Sequence, residues 1–117
     1  MSATRSLLLL GGGGHAAVVA DAARAAGFDV IGALDDNPAA TESLALVDLD
    51  WLGTLDDLAR LRADFPGQLA VHAAVGHNGL RRTWLTMMCE NHDDLAQPPI
   101  AHPSAIVAPS ATIGNGV

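Results

Sequence analysis

Lysine and tyrosine are absent from this chain of 117 residues, and only 3% of its residues are aromatic. A core must therefore be assembled from Ala, Val, Leu and Ile rather than from rings. Basic charge is scarce too: six arginines face thirteen acids, for a formal charge of −7. That balance draws the chain neither to nucleic acid nor to an anionic membrane surface. A bound phosphate would have to be held mainly by backbone N–H groups. Cysteine occurs once, at Cys89, which excludes an internal disulfide framework and sets the expectation of a reducing, cytoplasmic location. Long apolar runs are missing as well. Residues 7–10 are four leucines, but they give way at once to four glycines, so no signal peptide is expected. No stretch approaches the ~20 apolar residues that a membrane span requires. The spacings CxxC and HExxH do not occur and there is no P-loop lysine, so no metal is expected.

What is present is a chain that is 50% hydrophobic and long enough for one core. Residues 6–10 form a short apolar run closed by glycine, the pattern of a buried parallel strand. Ala16, Val19, Ala23 and Ala26 then recur at helical spacing with Val18 and Ala22 beside them, and Gly27 stands where a helix C-terminus favours a left-handed residue. Residues 29–34 read as a second strand, closed by Asp35, Asp36, Asn37 and Pro38. Residues 44–47 fit a short third strand. Thr54 is placed as an N-cap, with Leu55, Leu58 and Leu61 as the buried stripe of a short helix that Phe65-Pro66-Gly67 ends. Residues 69–75 form another strand. Asn78 caps a last helix, with Leu80, Trp84, Leu85 and Met88 as its apolar face and Met87 and Cys89 also expected in the core. Strand, turn, helix, strand, repeated, predicts an α/β domain with a parallel sheet of about four strands and flanking helices.

The tail has a different period. Ala101, Val107 and Ile113 are six apart, and so are Ala105, Ala111 and Val117. A hexapeptide repeat belongs to β-helix solenoids, whose coils bury their apolar residues only against stacked neighbours. We therefore expect a domain over residues 1–100 and, over residues 101–117, the first incomplete coil of a left-handed β-helix.

The residues with chemical meaning sit at the strand ends. Gly11-Gly12-Gly13-Gly14-His15-Ala16 fits G-x-G-x-x-A between a strand and a helix. Backbone without Cβ atoms lets a phosphate approach amide donors, and the helix behind adds partial positive charge. Asp35 and Asp36 end the second strand, where an acid in a Rossmann-like fold meets a ribose hydroxyl or else caps nearby amides. Gly76-His77-Asn78 follows the strand expected on the other side of strand one. The three segments would converge at the switch point of the sheet, where open α/β sheets bind ligands. His15, at the positive end of a helix, is expected as a neutral hydrogen-bonding group. His72 reads as structural, His77 and His92 as solvent-facing, and Arg81-Arg82 as a solvated helix face or a screen for a pyrophosphate.

GGGGHA at residues 11–16, VVADAARAAG at 18–27, Leu34-Asp35-Asp36, Val75-Gly76-His77-Asn78 with Arg81-Arg82, and His102-Pro103-Ser104-Ala105 leading into APSATIGNGV resemble the sugar O- and N-acyltransferases of the sialic-acid and bacillosamine acetyltransferase type. The resemblance spans essentially the whole chain. It implies a small N-terminal domain holding a nucleotide-activated sugar, commonly UDP-linked, ahead of a left-handed β-helix that binds acetyl-CoA between subunits of a homotrimer. It also implies a role in glycan or polysaccharide biosynthesis. In that family a β-helix histidine is the general base for attack of the sugar amine or hydroxyl on the thioester. Carried over, the substrate-binding residues are Gly11, Gly13, Gly14, His15, Asp35, Asp36, Gly76 and Asn78. His77 departs from the family's usual Asp. His102 belongs to the linker motif and does not match the catalytic base, so this stretch is expected to bind without catalysing.

Two other classes fit part of the pattern. The glycine motif and Asp35 would serve an NAD- or CoA-binding Rossmann module of an oxidoreductase, and a non-catalytic sensor of nucleotide sugars would use the same crevice. The hexapeptide tail separates the oxidoreductase from the first reading.

Overall fold

In a computed structural model of the protein, the described residues are 5–64, 69–74, 78–91, 96–114 and 117. The four leucines of β1 (Arg5–Leu10) are all 0% exposed. A strand buried on both faces needs a neighbour on each side and cover above and below, and the sheet supplies them. β1 pairs in parallel with β2 (Phe28–Leu34) and with β4 (Leu69–Ala73), and β2 pairs in parallel with the edge strand β3 (Trp51–Gly53). The order is β3-β2-β1-β4, the four-stranded parallel arrangement that the sequence predicts.

The two faces are filled differently. α1 (Gly14–Ala25) lays Ala16, Ala20 and Ala23 on the side of Leu7, Leu9, Val30, Ala33 and Ala70, with Val19 half-buried beside them, so the helix approaches the sheet mainly over methyl groups. On the other face Leu8, Leu10, Leu34, Leu69 and Val71 meet Leu55, Leu58 and Leu61 and, in part, Trp84. Burying one such leucine contributes about 1.5–3 kcal/mol, so β1 alone accounts for a large share of the driving force. Gly27 follows α1 with φ +96°, the left-handed stop expected there. Leu55 opens a 3-10 turn that runs into α2 (Leu58–Asp64), and Asp57 reaches back to accept from the Thr54 amide at 2.9 Å.

Expectations for three segments need correction. Residues 44–47 are not a strand: they belong to a 3-10 helix, Pro38–Val47. Leu44 is buried and Val47 half-buried against α1, while Leu46 between them is 85% exposed, which is helical and not alternating burial. Arg24 of α1 fixes that segment by donating to the carbonyls of Val47 and Asp48. Within α1, Val18 faces solvent and Ala20 takes the buried place. Ala26 is exposed because the helix ends one residue earlier. In α3 (Asn78–Asn91), Trp84 packs on the sheet, but Leu80 and Met87 are exposed; the side chains of Leu85, Met88 and Cys89 lie outside the described residues, as do Phe65-Pro66-Gly67 and His92.

Beyond α3 the chain returns to the sheet. The Ala96 carbonyl accepts from the Val71 amide at 2.9 Å and Ile100 packs on the α1 side. The tail then makes two turns of one kind, Ala105 N–H to His102 O and Ala111 N–H to Ala108 O, each 2.9 Å and six residues apart, while the Ile100 amide donates to Val117 O at 2.7 Å. Residues 101–114 are exposed throughout.

Candidate functional site

The carboxyl ends of β1, β2 and β4 lie side by side because β1 is central. The switch point falls between β1, which leads into α1, and β4, which precedes α3. The glycine loop leaves β1 at this place. Gly11 has φ +109°, a conformation that side chains with a Cβ rarely adopt, and its amide donates to Leu34 O at 2.7 Å. The Gly12 amide donates to Asp35 Oδ2 at 2.9 Å. Gly13 caps α1 with φ −81° and ψ −166°, and its carbonyl accepts from Ala16 at 3.0 Å. Gly11 and Gly12 are buried, Gly13 is half-buried, and Gly14 and His15 are exposed. The loop thus has an inner half bonded to the protein and an outer half that opens the helix. With the Ala16 amide bonded to Gly13, the first-turn amides of Gly14 and His15 are those with no partner within the helix, which makes that outer half the part able to meet an anion.

Both acids have backbone partners. Asp35 Oδ1 accepts from the Asn37 amide at 2.9 Å while Oδ2 holds Gly12, so one carboxylate ties the end of β2 to the loop after β1. Asp36 Oδ1 accepts from the Leu55 amide at 2.9 Å and thereby caps the turn that starts the next helix. A carboxylate offers about four acceptor sites, so neither oxygen pair is exhausted by these bonds. On the far side of β1, Asn78 is the first residue of α3. Gly76, His77 and the Asn78 side chain lie outside the described residues.

Two residues near this place, Trp51 and His72, carry signals that the sequence motifs do not include. Trp51 donates its indole N–H to Asp35 O at 3.0 Å. His72, inside β4 opposite Leu9, is 4% exposed. Burial lowers its pKa below the usual 6.5; the Pro98 backbone opposes this, and Arg81 and His15 push it further down. The Nδ1 atom of the His72 ring has no hydrogen-bond partner among the described residues. Arg81 is half-buried and Arg82 exposed. Among the described residues no three His, Cys, Asp or Glu side chains gather as a metal ion would need, and no helix is long and apolar enough to cross a membrane.

A parallel sheet with helices on both faces, and a glycine loop entering a helix at the switch point, define a Rossmann-like α/β domain. The particular family is equally plain: residues 6–88 match the model of the PglD N-terminal domain, and the chain belongs to that family. No curated protein matches. Among solved structures, the acetyltransferase domain of PglB from Neisseria gonorrhoeae, in complex with acetyl coenzyme A, is 32% identical with a TM-score of 0.75; the match covers 97% of this chain and 52% of that one. PerB from Caulobacter crescentus, in complex with CoA and GDP-perosamine, is 33% identical with a TM-score of 0.78, over 97% of this chain and 50% of its own. The chain therefore spans about half the length of these neighbours. They are acetyltransferases and not oxidoreductases, which bears out the family resemblance read from the motifs and disfavours the NAD-dependent alternative.

Proposed function

We propose that this chain is the nucleotide-sugar-binding part of an acetyl-CoA-dependent sugar acetyltransferase. The observation that carries the reading is the outer half of the glycine loop: Gly13, Gly14 and His15 open a twelve-residue helix at the switch point of a parallel sheet. A diphosphate there would accept from helix-terminal amides, in keeping with a chain that carries so few cations. Asp35, Asp36, Gly76 and Asn78 complete the proposed substrate contacts from the ends of β2 and β4. Asp35 serves doubly, bracing Gly12 and facing the ribose. The Caulobacter neighbour's complex with GDP-perosamine supports the ligand class, a nucleoside diphosphate bonded to an amino sugar. The family resemblance favours a UDP-linked form.

The transfer itself would use residues outside this stretch. We take residues 101–117 as the opening of a left-handed β-helix that binds acetyl-CoA in a cytoplasmic trimer, a reading supported by tail turns six residues apart and by the Ile100–Val117 hydrogen bond. The sugar amine or hydroxyl would attack the thioester carbon, giving up its proton to a base as the CoA thiolate leaves.

Calorimetric titration with UDP, GDP, their amino-sugar conjugates and NAD tests the first claim. Binding of a nucleotide sugar with no response to NAD is expected. Tight NAD binding with no response to any nucleotide sugar would end this reading.

A further inference from the structure

Only four side chains of this protein are Trp or Phe, and there is no Tyr. One of the four, Trp51, stands 41% exposed at the start of the edge strand β3. Its polar edge is already satisfied: the indole N–H, its one donor, is bonded to Asp35 O at 3.0 Å. The Asp35 side chain is in turn bonded to Gly12 of the glycine loop. Two hydrogen bonds thus connect the indole to the loop, and the ring has no further donor to offer a ligand. A tryptophan has on the order of 250 Å² to bury, so about 100 Å² of the residue stays open beside the proposed crevice.

The position along the sheet has a meaning. With the diphosphate at the loop after β1 and the ribose near the acid that ends β2, a nucleotide in this fold extends its base away from β1, toward the next strand on that side. Here that strand is β3. Strands lie about 4.8 Å apart, so β3 is roughly 10 Å from β1, a distance that a nucleoside spans. Resting on the nucleotide-site reading above, we infer that the Trp51 indole is the platform on which the nucleotide base stacks. The hydrogen bond to Asp35 O holds the ring edge, and the base covers the exposed face. Stacking of this kind serves any base, because every base has a π-face. Trp51 therefore supplies affinity for the nucleoside half, and base identity is read elsewhere.

The test uses Trp51→Leu and Trp51→Phe, each titrated with UDP, GDP and inorganic pyrophosphate, and Trp84→Phe, which leaves Trp51 as the only indole. Thermal unfolding checks that each variant is folded. Loss of a stacking partner weakens binding roughly 5- to 150-fold. Trp51→Leu should lose UDP and GDP affinity by a factor in that range and keep pyrophosphate affinity. Trp51→Phe, which lacks the N–H but keeps a ring, should recover most of the loss. In Trp84→Phe, the remaining fluorescence should be quenched by UDP and GDP and not by pyrophosphate. Unchanged nucleotide affinity in Trp51→Leu, or unquenched Trp51 at saturation, overturns the inference and leaves the nucleotide site standing. An equal fall for pyrophosphate would show that Trp51 acts only by supporting Asp35 and the loop, and overturns it too. Should the parent chain bind none of the three ligands, the site reading fails and the stacking platform with it.

Discussion

The sheet and the tail are built from similar small and aliphatic residues, yet they use them in opposite ways. Leu7, Leu8, Leu9 and Leu10 are 0% exposed, whereas Ile106 is 99% exposed and Ile113, Val107 and Val117 also face solvent. Every strand of the sheet has its neighbours within these residues. The tail has the period of a repeat and two like turns, but among the described residues its apolar side chains stay exposed, Ile106 almost wholly and Val107 and Ile113 in part. One region closes its interactions on itself; the other offers them. The same division runs through the glycine loop, where Gly11 and Gly12 bond inward and Gly13, Gly14 and His15 face out.

The sharpest way to break this comparison is a pair of truncations. Leu9→Ala should lower stability by about 2–5 kcal/mol, the range for emptying a closed core. Ile106→Ala should stay within about 0.5 kcal/mol, as for a side chain with no surroundings to lose. Urea unfolding of both variants measures this. Similar losses would mean that the tail packs on the sheet and that the contrast is false.

Inside the loop, two substitutions sharpen it further. Gly13 has a φ that any residue adopts, so Gly13→Val should fold and yet weaken nucleotide binding by about 100-fold or more, roughly 2.7 kcal/mol, by crowding the outer amides. Gly11→Val meets the left-handed φ instead and should cost about 1–3 kcal/mol of stability. If Gly13→Val binds UDP and GDP like the parent, the loop is a turn and no phosphate sits there.

How far the sequence discloses all this depends on where each signal originates. β1, α1, Gly27 and the Leu55, Leu58, Leu61 stripe are local patterns of burial and turn chemistry, so they read directly from residue order. Residues 44–47 could not be read that way: a run of four apolar residues fits a strand or a helix, and the deciding contact is Arg24, about twenty residues earlier. The glycine motif and the two acids mark the candidate site. That Asp35 braces Gly12, and that Asp36 caps Leu55, depends on β2 lying between β1 and β3, a tertiary fact. Trp51 carries no motif. Its single legible hint is rarity, an aromatic in a chain nearly without them.

His72 is the exception within the closed region, and it gives the smallest of these effects. Its ring is buried with Nδ1 unpartnered among the described residues, and desolvation, aided by Arg81 and His15, holds its pKa below 6.5 against the Pro98 backbone. The folded chain therefore binds fewer protons at this residue than the unfolded chain does once the pH falls below about 6.5. Stability then rises with pH: this contribution is fully present above the unfolded value and is lost as pH drops below it, until the folded ring itself protonates. One proton can impose a slope of at most about 1.4 kcal/mol per pH unit. Unfolding curves between pH 7.5 and about 5 should show stability declining toward acid, with the decline reduced in His72→Leu, whose apolar side chain has nothing to titrate. A slope that His72→Leu leaves intact would assign the proton to another group, and the buried ring would then be as inert as the leucines around it.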